Sequence, residues 1–255
     1  MITFYIFLIT CVFAVIGYLL GSILFSVIIS ELANKDVRYL GSKNPGSTNI
    51  ARILGIKIGF VNAILDAVKG YVAVIICLII YRYSIAVWTN GNINLYGLIF
   101  VGGTFAVIGH CFPLVYLIHL LASKFDFKNC VKYQGGKGVS TSGGVFFAIS
   151  PWIALVAFGI WLLIVSSTRY VSLGSIITLA ISPPLVYAPH LTLWYLINNH
   201  IFGPSNFHIS ILFITCIFIL TMVNGLLVTY RHRTNIIRLL HHKENRFGKH
   251  HDKKD

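Results

Sequence analysis

The chain has 255 residues, of which 56% are apolar and only 11% charged, with a mean hydropathy of +0.81. Soluble domains carry about 25% charged residues, so a soluble globular enzyme is excluded and an all-α, polytopic membrane protein is implied. The formal net charge of +13, from 20 Lys and Arg against 7 Asp and Glu, serves such a chain first as an orientation signal and an attraction to anionic lipid, and calls for no nucleic-acid partner.

The first span is predicted from Phe4 to Ile29. It lacks a basic n-region and runs past the length of a signal-peptide core, so it reads as a membrane helix. Gly17, Gly21, Ser22 and Ser26 on its later half predict close helix packing. A polar loop from Glu31 to Lys57 follows, containing Gly41-Ser42-Lys43-Asn44-Pro45-Gly46-Ser47-Thr48-Asn49 and then Arg52. Backbone N–H groups beside small residues, hydroxyls, amides and two cations suit a phosphate or oxyanion. Asn-Pro-Gly is equally a strong turn signal, so the loop alone favours neither a site nor a simple turn.

The second span, about Ile58 to Tyr81, carries Asp66 and Lys69 three residues apart on one helical face. At that depth they are either an interior-facing site or an ion pair that joins helices. After a short polar loop at Thr89 to Asn94, the third span runs from Leu95 to Leu117 and holds Gly109-His110 and Pro113. His110 is read as a packed, hydrogen-bonded histidine. The segment Leu120 to Tyr133, with Lys124, Lys128 and Lys132, is expected to lie at the membrane interface.

Gln134-Gly135-Gly136-Lys137-Gly138-Val139 comes next, followed by apolar sequence to Ser166. The Gly-Gly-Lys-Gly run is not a Walker A loop, because the upstream Gly is missing from the required position. One helix from 139 to 166 would be about 40 Å long against a hydrocarbon core near 30 Å. Ser150-Pro151 marks a break, so two shorter helices, down and back, are predicted. They return Arg169 to the side of Lys43, Arg52 and Lys137. Spans at Val171 to Ile197 and Ile209 to Tyr230 bring the basic tail there too, leaving only Arg82 clearly opposite. About seven crossings are expected, with the N-terminus outside and the C-terminus cytoplasmic.

Arg231 to Leu240 reads as a helix leaving the membrane, and residues 241–255 as a basic, flexible tail. His241, His242, His250 and His251 belong to that tail, without ordered metal-ligand spacing. Cysteines 11, 77, 111, 130 and 216 lack CxxC spacing and lie mostly in apolar runs, so they read as small hydrophobes. Residues 1–240 form one domain without internal repeats.

Four polar clusters then share one face: the Ser42 loop, the Lys137 loop, Arg169 to Ser172, and Arg231 to Asn235. Glycine N–H groups, hydroxyls and cations with few carboxylates make an anion site able to hold more than one phosphate. An organic-anion transporter would also use Asp66, Lys69 and a basic vestibule, but its polar groups belong at mid-membrane between two related halves.

These motifs resemble the bacterial acyl-phosphate:glycerol-3-phosphate acyltransferases of the PlsY type. Gly41 to Asn49 with Arg52 is similar to that family's first motif, and Leu65-Asp66 with Lys69-Gly70 to its L-D-x-x-K-G. Gly109-His110, Pro113 and Gly135 to Val139 with Thr141 resemble the second, and Arg169 to Leu173 a further signature. Arg231-His232-Arg233 with Asn235-Ile236 and Arg238-Leu239-Leu240 resembles the third.

The resemblance implies a seven-helix membrane enzyme that acylates the 1-hydroxyl of sn-glycerol 3-phosphate from an acyl phosphate, with no metal or cofactor. It implies a catalytic set of Ser42, Arg52, Lys137, Ser172, His232 and Asn235. Asn44, Gly46, Thr48, Asn49, Gly135, Gly136, Gly138, Arg231 and Arg233 are expected to bind substrate phosphate, with Asp66, Lys69 and His110 in support. The bilayer and a soluble acyl-phosphate-making enzyme are the implied partners. The site would face the cytoplasm from an inner or sole plasma membrane, which apolar helices favour over an outer membrane. The chain departs from the family in Leu24 in place of Pro, Thr234 in place of Glu, and a longer stretch at 119–133.

Overall fold

The computed structural model describes residues 2–84, 96–198 and 211–248. The loop expected at Thr89 to Asn94, the start of the last span at Ile209, and His250 and His251 lie outside the described residues. Every regular element among those described is helical.

Helix α1 (Ile2–Gly21) breaks at residues 22–24 and resumes as α2 (Phe25–Leu32). The polar helix α3 (Ser47–Leu54) leads into α4 (Ile56–Tyr83). Helix α5 (Ile99–Cys111) is followed by α6 (Leu114–Ala122), the short α7 (Phe127–Cys130) and a 3-10 turn (Val131–Tyr133). The chain then forms α8 (Val139–Ile149), α9 (Pro151–Thr168), α10 (Val171–Asn198), α11 (Ile211–Arg231) and α12 (Arg233–Leu240).

Among the described residues five helices are long and apolar enough to cross a bilayer, or six if the bent pair α5–α6 is one span. The expected pair after Lys137 is present. Ser150 is extended at φ −157° and Pro151 opens α9, where its missing N–H costs nothing. The first of the pair, α8, has 11 residues and is about 16 Å long, half a hydrocarbon core. The third span, read from Leu95 to Leu117, is bent late in its course. Phe112, which precedes a proline, leaves the helical region at φ −134°, ψ 76°. Helix α6 departs from α5 at 61° there.

The small residues of α1 do pack closely. A Cβ on Gly17 would lie 1.9 Å from the Gly102 carbonyl oxygen, so α1 and α5 touch backbone to backbone. The same end of α1 stitches the bend. Tyr18 Oη donates to the Phe112 carbonyl at 2.8 Å, and Ser22 Oγ accepts from the Leu114 N–H at 3.1 Å. Backbone groups freed by a break inside a membrane need such partners. The main core gathers Phe13, Val74, Cys77, Phe100, Val107, Val145 and Val228 from α1, α4, α5, α8 and α11.

The predicted exit helix from Arg231 to Leu240 is interrupted at His232. The chain bends there, and α12 is a separate helix laid against α10 and α11.

Candidate active site

The glycine loop between the 3-10 turn and α8 is the centre of the site, and its shape is imposed from three sides. Arg231, at the end of α11, donates through Nη2 to the Gly135 carbonyl at 2.8 Å and through Nε to the Gly136 carbonyl at 3.3 Å. Its Nη1 donates to Gln134 Oε1, and its guanidinium stacks on the Phe112 ring. Gly136 is wedged: a Cβ would meet His110 Nε2 at 2.2 Å and the Pro45 carbonyl oxygen at 2.6 Å. Pro45 brings the first polar loop against the glycine loop. Gly138 takes φ +84° and caps α8, whose first-turn N–H groups have no helical acceptor.

In the first polar loop, Asn49 is 1% exposed and spends both ends of its amide on backbone. Its Oδ1 accepts from the Ser42 N–H at 2.9 Å, and its Nδ2 donates to the Leu40 and Val37 carbonyls at 3.0 and 3.2 Å. Gly46 caps α3 and accepts from the Asn49 and Ile50 N–H groups. Ser42 and Lys43 are exposed, and Asn44 and Thr48 half-buried. Arg52 lies one helical turn beyond Asn49 and feels the charges of Glu244 and Arg238.

Lys137 Nζ donates to Asn235 Oδ1, tying the glycine loop to α12. The other end of that amide, Nδ2, donates to Glu244 Oε1 at 2.6 Å. The same carboxylate accepts from Ser172 Oγ at 2.9 Å and from Arg238 Nε at 2.7 Å. Burial alone would raise the Glu244 carboxyl. The hydrogen bonds from Arg238, Asn235 and Ser172 outweigh it and hold the group below the usual carboxylate range. Burial pulls Lys137 down to about 8 against the opposing pull of Glu244, with Arg238, Arg231 and Arg52 adding to the fall. His232 is 3% exposed, and burial with Lys137 nearby lowers it to about 4. Its Nδ1 sits 2.8 Å from the Val228 carbonyl and therefore carries the proton, which leaves Nε2 as the acceptor of a neutral imidazole.

Of the predicted catalytic set, contacts and charge coupling bring Lys137, Asn235, Ser172, His232 and Arg52 together. Ser42 is exposed on the first polar loop, where its N–H donates to Asn49, and that loop meets the glycine loop through Pro45. Three predicted phosphate contacts have other partners here. Asn49 braces its own loop, and Arg231 holds the glycine-loop carbonyls because a buried guanidinium must find acceptors. Arg233 is exposed and stacks on Tyr230, 4.6 Å from the ring centroid.

Glu244 was missed. The sequence reading assigns it to the flexible tail, yet its side chain is 5% exposed, and residues 241–248 are docked through the Phe247 N–H, which donates to the Arg169 carbonyl at 2.7 Å. The readable signal is scarcity: Glu244 is the only acid between Arg231 and Gly248, and the cations around it are ready partners.

Beneath the loop, Asp66 and Lys69 pair at 2.9 Å with both side chains at most 3% exposed. Lys69 also donates to the Ile23 carbonyl in the α1–α2 break at 2.6 Å. Asp66 Oδ2 accepts from Asn62, which donates to Ser47 Oγ as well, and Asp66 Oδ1 lies 3.5 Å from His110 Nδ1. This network runs from α3 to the ring under Gly136. Lys69→Met is expected to destabilise the fold by about 3–5 kcal/mol, because it strands a buried carboxylate. The Asp66→Asn/Lys69→Met pair should lose clearly less, read as thermal midpoints in detergent.

The family model for glycerol-3-phosphate acyltransferase matches residues 11–242. The chain belongs to that family. A glycerol-3-phosphate acyltransferase of Malacoplasma penetrans is 38% identical to this family member, over 92% of each chain. A crystal structure of PlsY (YgiH), an integral membrane glycerol 3-phosphate acyltransferase in its glycerol 3-phosphate form, superposes with a TM-score of 0.65. That protein is 33% identical, with 94% of this chain and 96% of the other covered. Its lysophosphatidic acid form gives a TM-score of 0.63 at 32% identity, with 94% and 95% covered. The acyltransferase described here is thus an all-helical integral membrane protein of the PlsY type.

Proposed function

We propose that this acyltransferase moves a fatty acyl group from an acyl phosphate to the 1-hydroxyl of sn-glycerol 3-phosphate, yielding lysophosphatidic acid and inorganic phosphate. The observation that carries this is the meeting of Lys137, Asn235, Ser172 and Glu244 from three distant stretches of chain, with Arg52 and Arg238 close enough to share their charge. That arrangement suits two phosphates better than it suits an acid–base pair.

Lys137, Arg52 and the first-turn N–H groups of α8 hold the donor's phosphate and stabilise the oxyanion that develops on the acyl carbonyl. Ser42 donates to a phosphate oxygen, and Ser172, whose hydroxyl proton rests on Glu244 in the free protein, turns it to phosphate when substrate binds. Asn235 and the neutral His232 position glycerol 3-phosphate, His232 accepting a hydrogen bond at Nε2. The glycerol oxygen attacks the acyl carbon, and the bond to the phosphate oxygen breaks. The departing phosphate keeps the electron pair and takes the hydroxyl proton. His232, at about 4, is too weak a base to compete for it. The basic face that carries these groups favours the cytoplasmic side of an inner or sole plasma membrane, where a soluble enzyme could deliver the donor.

The test is purified protein in detergent given palmitoyl phosphate and glycerol 3-phosphate. Equal amounts of lysophosphatidic acid and phosphate are expected. Turnover with acyl-CoA but not palmitoyl phosphate would overturn the donor. Substrate uptake into sealed vesicles without product would overturn the reaction.

A further inference from the structure

The excursion between the bend and the glycine loop, residues 114–133, is built as a rigid unit of its own. Tyr116, Leu120 and Cys130 form a second small core, backed by Phe112 and Tyr133. His119 stacks on Tyr133 with ring centroids 3.6 Å apart. Asp126, the only acid in the stretch, caps α7 by accepting from the Lys128 and Asn129 N–H groups at 3.2 Å. Lys124 and Phe125 both adopt positive φ, and this tight turn is tied back by the Phe125 N–H to the Leu120 carbonyl at 2.8 Å. The two ends of the excursion meet where the Gly135 N–H donates to the Cys111 carbonyl at 3.1 Å.

This unit turns an apolar surface outward. Val115, Ile118, Leu121, Phe125, Phe127 and Val131 are each more than half exposed. The same segment presents Lys124, Lys128 and Lys132, all exposed, and its one carboxylate is occupied by the α7 cap. The apolar surface continues from a span, since α6 is the bent continuation of α5. Continuity with the hydrocarbon identifies lipid as the cover, and the unbalanced lysines specify its charge. Each lysine at an anionic surface adds to the attraction.

We propose that residues 114–133 are an interfacial platform that seats on anionic phospholipid, with Lys124, Lys128 and Lys132 against lipid phosphates and the aromatic and aliphatic side chains at the acyl boundary. The assignment goes beyond acyl transfer and does not depend on it. It concerns bilayer lipid bound beside the glycine loop, not substrate within it.

Photo-crosslinking tests it directly. The full-length protein is placed in nanodiscs carrying a diazirine phosphatidylglycerol or a diazirine phosphatidylcholine, and labelled peptides are mapped by mass spectrometry. Phosphatidylglycerol label should concentrate on 114–133 and fall by about an order of magnitude in Lys124→Gln/Lys128→Gln/Lys132→Gln. Phosphatidylcholine label should be equal in the two proteins. Retained turnover of the variant in detergent confirms its fold. Equal phosphatidylglycerol labelling of wild type and variant would overturn the proposal. So would a segment that neither lipid labels, which would instead fit a soluble protein partner.

Discussion

Lys137→Ala is expected to lower acyl transfer by about 10²–10³-fold while leaving the thermal midpoint in detergent nearly unchanged. Removing one preorganised donor from an oxyanion or phosphate site typically costs that much. Lys137 is half-buried, and its loop is held independently by Arg231, His110 and Pro45, so the backbone keeps its place without the ammonium. Lys137→Arg should recover little, because a planar guanidinium cannot replace a compact cation donating to Asn235 Oδ1. The ordinary enzyme carries its own check. With Lys137 at about 8, the cation dominates by about ten to one at neutral pH. kcat/KM should therefore fall as pH rises through about 8. A bound phosphate favours the cation, so the limb for kcat should lie at higher pH than the limb for kcat/KM. Near-wild-type turnover of Lys137→Ala would remove this residue from the mechanism.

Glu244→Ala should be nearly as severe, at about 100-fold, by a different route. Asn235 is oriented from both ends, with Lys137 on Oδ1 and Glu244 on Nδ2, and Ser172 and Arg238 converge on the same carboxylate. Without that carboxylate three groups lose their common acceptor, and a displacement of about 1 Å can cost 10²-fold. Glu244→Gln keeps an acceptor but loses the charge, so a milder loss of about tenfold is expected. Its diagnostic is the pH profile. The negative charge of Glu244 holds the Lys137 cation up, so neutralising it lets Lys137 lose its proton more readily, and the alkaline limb of kcat/KM moves to lower pH. A limb that stays near 8 in Glu244→Gln would mean the two charges do not meet in the working enzyme.

Much of this was legible because membrane helices are written in long apolar runs and their breaks in prolines. The helix pair around Ser150-Pro151 follows directly from the residue-before-proline rule. The bend at Phe112-Pro113 obeys the same rule but was hidden near the end of an apolar run, where hydropathy is indifferent to direction. The gathering of Lys137, Ser172 and Asn235 was readable from charge and alternation of sides. What each polar atom faces was not. Asn49 and Arg231 have the right chemistry for phosphate, yet each is spent on backbone carbonyls or N–H groups that the loops leave open. Glu244 was lost because a polar, basic stretch after the last apolar run looks solvated, and composition cannot reveal three donors arriving from elsewhere.

The single hydrogen bond between Gly135 and Cys111 has a consequence for how such a chain changes over time. It pins the two stems of the 114–133 excursion together, so the glycine loop starts from a position set by α5 and not by whatever lies between. Closing a longer loop costs little extra entropy once its ends are held. The excursion is therefore a natural port: sequence can be lengthened, shortened or exchanged there without disturbing the chemistry next door. It is also where a reporter could be grafted with the enzyme still at work.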